Sequence, residues 1–420
     1  MKMKKVYSSI LLVALMAIAT VAQLSAQGIT SPYSKFGYGL LGDGATGIQR
    51  SMGGVGYAMQ NGKMVNAMNP ASYAATDSLT FLFDMGLDLN QSWSQDGSEK
   101  GTSFGGGLDY IAMQFKIAKN MGMSAGVIPF SSVGYNYGKD IENGSDQRSG
   151  EGGINQLYLG YAIAPVKGLS VGFNAAYMFG TTVNDILASS TGAGSTTLYE
   201  RIIKVRDWNL QFGAQYTINL NRKNRATIGL VYSPGKSFHG ETWGTYYDSQ
   251  DKKFQSTDTI GLGGRYSQPA TYGAGLSYTF NNRLTAEVDF TYQPWKNAKF
   301  TPLPSFDTEG TTLNFNNRWK VAAGLAYTPN PRGGYLKRTT YRMGGYYNND
   351  YMNIRGNSVR DYGVSAGVSL PVPGGKTLVN IGVEYKHRYS SPTVMVKEDY
   401  LNITLGVTFN ESWFWQNKIR

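Results

Sequence analysis

The chain has 420 residues, of which 41% are hydrophobic and 16% charged, with 53 glycines, 30 tyrosines and no cysteine. The lack of cysteine excludes a disulfide framework and a cysteine-ligated metal site. The net charge of +11 becomes +8 without the three lysines among the first five residues. A basic surplus suits nucleic acid or anionic lipid, and the export signal described next favours lipid over nucleic acid.

Residues 1–26 form a predicted secretory signal peptide. Three lysines precede an apolar run from Ile10 to Ala22, and small residues precede a cleavage site after Ala26, with Ala22 as the alternative. No segment reaches the roughly 18 continuous apolar residues of a membrane-spanning helix. We therefore predict an exported protein without a transmembrane helix.

Residues 27–78 are dense in glycine and show a sustained period of neither 2 nor 3.6. Their methionines provide flexible apolar surface that suits irregular packing. Composition alone leaves two interpretations open. The segment is either a periplasmic tail without a set fold or a compact plug.

Two short motifs lie in the stretch from Gln49 to Asp84. The first reads R-S-M-G-G-V-G from Arg50, and the second is Asn69-Pro70-Ala71. The stretch resembles the N-terminal region of the FadL/TodX family of outer-membrane hydrophobic-compound transporters. The resemblance implies a hatch over residues 27–78 that folds inside a barrel, with the hatch motif residues Met52, Gly53, Gly54, Asn69, Pro70 and Ala71.

Strict alternation of apolar and polar residues follows the N-terminal segment. The stretches Trp208 to Ile218 and Leu284 to Tyr292 each place apolar side chains on one face and polar ones on the other. A soluble β-sandwich shows the same alternation, so strand length and connections must separate the two classes.

Fourteen such strands are predicted, most of them at least the ~9–11 residues that a tilted strand needs to cross a bilayer. Short turns follow every even strand and long loops follow every odd one, as in outer-membrane barrels. We predict an all-β fold, a transmembrane antiparallel β-barrel of about 14 strands over residues 79–410 with the hatch in its lumen, and a C-terminal tail at 411–420. The predicted strands are 79–93, 104–118, 121–137, 154–164, 168–180, 205–220, 225–236, 270–280, 283–295, 317–329, 338–348, 361–371, 376–389 and 400–410.

Aromatic residues gather at both ends of the predicted strands, as expected where rings meet the two membrane interfaces. Trp93, Trp295, Trp319 and Tyr400 are examples at the long-loop end. Fourteen strands with an N-terminal hatch are also what the FadL/TodX resemblance implies.

Catalysis has little support in the sequence. The histidines are His239 and His387, and neither has a neighbouring serine and aspartate at a recognisable spacing. We predict no enzyme activity, no cofactor and no metal site. Charged residues on the polar faces are expected to pair inside the lumen; they are Asp109, Glu287, Asp289, Glu384 and Lys386.

The third strand contains Pro129, flanked by Gly126 and Gly134. Proline cannot donate to a β-ladder, and a closed barrel has no edge, so Pro129 predicts a local break in pairing between Val127 and Gly134. The FadL/TodX resemblance implies an inward kink in the third strand that opens the wall sideways. The alternative is a bulge that only helps the barrel to curve.

The function expected from this sequence is passive uptake of hydrophobic small molecules, such as fatty acids or aromatic compounds, across a Gram-negative outer membrane. The expected partners are a hydrophobic ligand and outer-membrane lipid, with no nucleic acid. The alternative is a scaffold of the same fold whose extracellular loops bind protein partners of a secretion apparatus. An apolar pocket next to the hatch would favour transport, and a closed lumen would favour the scaffold.

Overall fold

A computed structural model of the chain describes residues 31–190, 195–301, 303, 314–373 and 376–412. The predicted signal peptide at 1–26 lies outside the described residues, as do the first four residues of the predicted hatch and residues 413–420 of the predicted tail. No helix in the described part is long and apolar enough to cross a membrane.

Fourteen antiparallel strands form a closed barrel, because β1 pairs with β14 from Thr80–Ser412 to Asp96–Val396. The predicted barrel class and strand number are confirmed. The barrel strands are β1 Thr80–Asp96, β2 Glu99–Ala118, β3 Met121–Ile141, β4 Gly144–Val166, β5 Leu169–Ser190, β6 Thr196–Asn219, β7 Arg225–Ser233, β8 Thr271–Phe280, β9 Leu284–Gln293, β10 Arg318–Tyr327, β11 Thr340–Ile354, β12 Asn357–Pro371, β13 Leu378–Ser391 and β14 Val396–Ser412.

The burial pattern is the reverse of that of a soluble protein. Outward-facing Leu276 and Val288 are 57% and 52% exposed, whereas inward-facing Glu287 and Asp289 are 1% and 3% exposed. Apolar side chains facing outwards and polar ones facing inwards are what a lipid-embedded barrel requires.

The predicted long loops are largely strand. The loop expected from Thr181 to Lys204 is a β5–β6 hairpin whose strands continue to Ser190 and restart at Thr196. Above the membrane both faces of these strands carry polar residues, so no hydrophobic alternation marks them in the sequence. The turns at 119–120 and 167–168 are short as predicted, but those at 97–98 and 142–143 on the opposite side are equally short, because the strands extend into the expected loops.

One side of the barrel is taller than the rest. Beyond the apolar band, β3 to β6 continue outwards, and two strands of the β7–β8 connection, Gly240–Asp248 and Lys253–Ser256, extend the sheet from β6. We call this extension the outer wing. The remaining short strands are Leu40–Leu41, Lys236–Ser237, Ile260–Gly261, Ser267–Gln268 and Asn314–Phe315.

The N-terminal segment from Ser31 to Ser78 is mostly buried and contains four short elements. They are two 3-10 helices (Pro32–Lys35 and Pro70–Ala75), helix α1 (Gly47–Arg50) and the strand Leu40–Leu41. A second short helix, α2 (Tyr335–Arg338), lies between β10 and β11.

A hydrophobic core lies across the outer end of the barrel. Tyr38 of the N-terminal segment packs there against Phe238 and Trp295, with ring centroids 5.1 and 5.9 Å away. Trp295 and Tyr400, both predicted for the outer aromatic belt, are 1% and 0% exposed. That prediction was wrong for these two residues, because Tyr400 faces into the barrel and Trp295 lies beyond the end of β9, in the 3-10 helix Trp295–Asn297.

Candidate functional site

The Met52-Gly53-Gly54 motif forms a tight turn against the barrel wall. Gly53 and Gly54 have φ angles of 75° and 78°, a region that favours glycine. The amide of Gly53 donates to Ser365 Oγ of β12 at 2.9 Å, and Met52 is 1% exposed. The motif therefore combines a left-handed turn with a close approach to the wall.

Asn69, Pro70 and Ala71 open the 3-10 helix Pro70–Ala75. The Asn69 carboxamide accepts from the Ala71 amide at 3.1 Å and donates to the Tyr57 carbonyl at 2.7 Å. Asn69 thus caps the helix and ties it to another turn of the segment. A Cβ on Gly213 of β6 would lie 2.1 Å from Asn69 Oδ1, so the wall has room for this motif only because it carries glycine there.

Two acidic side chains of β9 accept hydrogen bonds from the N-terminal segment. Asp289 Oδ2 accepts from the amides of Gly56 and Tyr57 at 2.7 and 2.9 Å, and Glu287 Oε1 accepts from the amide of Ala58 at 2.9 Å. Sequence reasoning placed both carboxylates on the inward face but did not identify their partners, which are backbone groups about 230 residues away in the chain.

Strand β3 changes partner along its length. Its ladder with β2 ends at the pair Ile111–Val127. Further out, Ser131 and Ser132 pair instead with the strand Leu40–Leu41. In the wall above Val127, β2 therefore remains paired with β1 while β3 is paired with the N-terminal segment and β4.

Pro129, Gly126 and Gly134 all lie along this change of partner. Pro129 pairs with Asn155 of β4, and the register then shifts by one residue at Phe130. Gly126 lies within the ladder that β3 shares with β2, and the Gly134 carbonyl accepts from the amide of Ser31 at 2.7 Å.

Above Val127 the facing edges of β2 and β3 are not paired with each other, and we call this gap in the ladder the seam. A cavity of about 410 Å³ adjoins the seam. Gly106, Gly107 and Leu108 of β2 line it on one side, and Pro129 and Ser131 of β3 line it on the other. Its remaining walls come from the N-terminal segment, from β1, from Asn155 of β4 and from β10 to β14. Cationic side chains from these elements face the cavity, namely Arg50, Arg318, Lys320, Lys386 and Arg388.

The charges around the cavity are paired with one another. Arg50 lies 2.8 Å from Asp109, and Asp43 lies 2.6 and 2.5 Å from Arg318 and Lys320. These pairs join the N-terminal segment to β2 and β10.

A second set of interior charges surrounds Arg388 of β13. Its guanidinium lies 3.5 Å from Asp361 and 3.9 Å from Glu398, whose carboxylate also accepts from Ser31 Oγ at 2.8 Å. Lys386 lies over the ring of Tyr400 at 4.4 Å. The cavity is consequently lined by fixed charges together with apolar groups such as Leu40, Leu41 and Leu108.

Each histidine has a carboxylate partner that the sequence did not reveal. His239 Nδ1 lies 3.1 Å from Asp207 and His387 Nδ1 lies 2.8 Å from Asp399. Neither histidine lines the cavities of about 410 and 120 Å³ inside the barrel. The described residues contain no group of three or more His, Cys, Asp or Glu side chains arranged to hold a metal ion.

The closed barrel with an outward apolar band and a polar interior defines an outer-membrane β-barrel, and its fold is of the FadL type. It is similar to the CymD monoaromatic hydrocarbon channel (TM-score 0.57, 15% identity, 88% of this chain and 98% of that one). It is also similar to the Pseudomonas putida toluene transporter TodX (0.58, 13%, 90% and 100%) and to a Pseudomonas aeruginosa FadL homologue (0.60, 11%, 88% and 99%). At these identities the likeness establishes the fold alone.

The BamG family model matches residues 3–420, and the chain belongs to the BamG family. No curated protein matches the chain in sequence. The resemblance noted at the Met52 and Asn69 motifs is confirmed for the fold, whereas the family that matches along the chain carries a different name.

Proposed function

We propose that this chain is a plugged outer-membrane barrel that acts as a scaffold for a protein partner. The observation that carries the proposal is the set of ion-paired side chains that line the interior cavity alongside its apolar residues. Pockets for hydrophobic small molecules are predominantly apolar. A hydrophobic ligand here would have to lie against Arg318, Lys320 and Arg388 without replacing their hydration or their ion pairs.

The outer end of the barrel supports the same proposal. An open route for cargo would need space between the outer loops and the cavity. Tyr38, Phe238, Trp295 and Tyr351 instead pack into one buried core at that end. On this proposal residues 27–78 act as a permanent plug, bound through Asp43, Arg50 and the Asn69 motif.

The proposal is tested with the full chain in two parallel measurements. First, the protein is extracted from its own outer membrane in mild detergent, and co-purifying proteins are quantified by mass spectrometry. We expect one protein at near-stoichiometric amount. Second, the purified protein is reconstituted in vesicles, where we expect uptake of a labelled long-chain fatty acid no faster than in protein-free vesicles. Facilitated uptake without a protein partner would contradict the scaffold.

Passive uptake of hydrophobic compounds is the second candidate, and the seam between β2 and β3 favours it. The wall lacks ladder pairing there, and the cavity adjoins the gap. A ligand leaving through a barrel wall requires an interruption of this kind. The solved channels of similar fold carry monoaromatic hydrocarbons or toluene according to their names.

Pro129→Val tests this second candidate. Valine restores a donor at the seam, so we expect slower uptake in a correctly inserted variant if cargo leaves there, together with co-purified hydrophobic compound in extracts of the unmodified protein. Equal uptake by Pro129→Val and the unmodified chain would remove Pro129 as the source of a lateral exit.

A further inference from the structure

The outer wing presents one face sideways, away from the barrel axis. On β5 this face continues the lipid-facing set that includes Phe173, Tyr177 and Phe179, because side chains two apart in a strand share a face. The wing residues lie beyond the apolar band. Asp185, for example, lies about 20 Å along the strand from Phe179, at about 3.3 Å per residue.

Cross-strand pairing arranges this face in three rows. Val183, Ile202 and Trp243 are direct partners and form an apolar row, the innermost of the three, which Glu151 of β4 bounds on the other side of Val183. Two residues further out, Asp185 pairs with Glu200, whose next partner is Thr245. The outermost row is again apolar and consists of Leu187, Leu198, Tyr247 and Phe254, of which the last is 66% exposed.

The two carboxylates of the middle row repel each other. Asp185 and Glu200 are opposite each other in the ladder, a position where like charges destabilise a sheet. Burial, followed by the charges of Glu200 and Glu151, raises the pKa of Asp185 to about 6. Asp185 Oδ1 is also buried without a hydrogen-bond partner. A cation placed over this row would relieve the repulsion between Asp185 and Glu200.

We propose that the outward face of the wing is the docking surface for a protein mounted in the same membrane, whose contact face carries lysine or arginine side chains between two apolar rows. This inference rests on the proposed scaffold function and names the surface and the chemistry of the partner.

Charge complementarity favours a basic protein partner over lipid and over a second copy of this chain as the molecule that covers this face. Lipid headgroups are anionic and fit the basic residues nearer the membrane, Lys204 and Arg206, but are repelled by the carboxylate row. A second copy of this chain related by a two-fold axis would set the carboxylates of Asp185 and Glu200 against themselves. A partner with basic side chains satisfies both the charge and the apolar rows.

The test is photo-crosslinking in cells that make the full chain. A photoreactive amino acid replaces Leu198 on the outward face. In a matched control it replaces Tyr199, the next residue of the same strand, which faces inwards and packs on Tyr246 at 4.9 Å. The crosslinked product is digested and the attached peptide is sequenced. We expect one protein at Leu198, attached through a segment with lysine or arginine between apolar residues, and little or none at Tyr199.

Charge reversal makes the test specific. Asp185→Lys with Glu200→Lys should lower the Leu198 crosslink at least about tenfold, because like charge across an interface costs more than the 1.4 kcal/mol that a tenfold change represents. Heat-modifiable gel mobility verifies that each variant is a folded barrel. An unchanged yield after charge reversal, or capture of lipid or of a second copy at Leu198, would overturn the proposal.

A third crosslinking position distinguishes an error in the proposed docking surface from an error in the proposed scaffold function. Val394, which is 47% exposed in the β13–β14 turn, lies far around the barrel from the wing. A protein captured there and absent at Leu198 would disprove the wing surface and leave the scaffold intact. No protein captured at any position would contradict both.

Discussion

The barrel interior and the outward face of the wing both carry several carboxylates, but the two regions treat them differently. Inside, Asp43 contacts Arg318 and Lys320, and Asp361 and Glu398 lie around Arg388. On the wing, the charges acting on Asp185 are those of Glu200 and Glu151, which are also negative. Asp43, Asp361 and Glu398 are thus compensated by cations of the same chain, whereas the charges that act on Asp185 are themselves negative.

This difference indicates which charges maintain the fold and which are available for binding. A buried charge that loses its counterion is strongly destabilising, so the interior pairs hold the N-terminal segment and the wall in one arrangement. The partly exposed carboxylates of Asp185 and Glu200 on the outward face of the wing contribute little to the stability of the fold. Their position between apolar residues, with only negative charges acting on Asp185, instead suits an interface with a basic partner.

The largest expected effect comes from breaking the interior set. Arg388→Met should lower the free energy of unfolding by about 3–5 kcal/mol, because it leaves Asp361 and Glu398 buried without their cation. The measurement is urea unfolding of the purified barrel in lipid or detergent. Glu200→Gln on the wing is the matched comparison and should change stability by less than about 0.5 kcal/mol. Equal losses in the two variants would refute the contrast between the regions.

The second prediction concerns the fit between the wall and the N-terminal segment. Gly213→Ala places a Cβ 2.1 Å from Asn69 Oδ1 and 2.8 Å from Pro70 Cδ, so overpacking should destabilise by about 1–3 kcal/mol. The same assay measures it. Gly107→Ala is the control, since a Cβ there meets nothing within 4 Å. A Gly213→Ala protein as stable as Gly107→Ala would show that the segment does not sit against β6.

The sequence predicted the strand number and the inward faces because both follow from alternation with period 2. It did not predict the wing, since Asp185, Glu200 and their neighbours show no apolar alternation. It also did not predict which charges meet, because Asp43 and Arg318 are 275 residues apart and come together only when the barrel closes.

The glycines of the barrel wall are a further case in which the sequence does not show a contact between residues that are distant in the chain. Gly213 looked like any polar-face position in an alternating strand, and its requirement became clear only from the approach of Asn69. The Asn69-Pro70-Ala71 motif was visible because its chemistry is local. The carboxamide caps the following turn, and Pro70 fixes the entry of the chain.

Asn69→Ala is expected to have a smaller effect than Gly213→Ala. It removes the cap of the 3-10 helix and the 2.7 Å bond to the Tyr57 carbonyl, which should cost about 1–2 kcal/mol. The consequence is a looser segment, read out as faster proteolysis within residues 31–78 and greater entry of bulky antibiotics into cells. Asn61→Ala, at an exposed turn where the side chain accepts from the Lys63 amide, should change neither.

The smallest expected effect is a pH dependence located on the wing. In the folded protein the pKa of Asp185, about 6, lies above the ordinary value of 3.8, because of burial and the facing carboxylates Glu200 of β6 and Glu151 of β4. The folded state therefore holds this proton more tightly than the unfolded state, and stability is lost as the pH rises from about 4 to about 6.

Asp185→Asn removes that loss. The variant should match the unmodified protein below about pH 4 and exceed it in stability above about pH 6, with the difference developing between these values. Unfolding midpoints measured from pH 4 to pH 8 test this, with Asp140→Asn at the exposed tip of β3 as the control. Parallel curves for Asp185→Asn and the unmodified protein would contradict it.

Docking of a cationic partner should depend on pH in the opposite sense. A lysine or arginine over the row favours ionised Asp185, so binding should become stronger as the pH rises through 6.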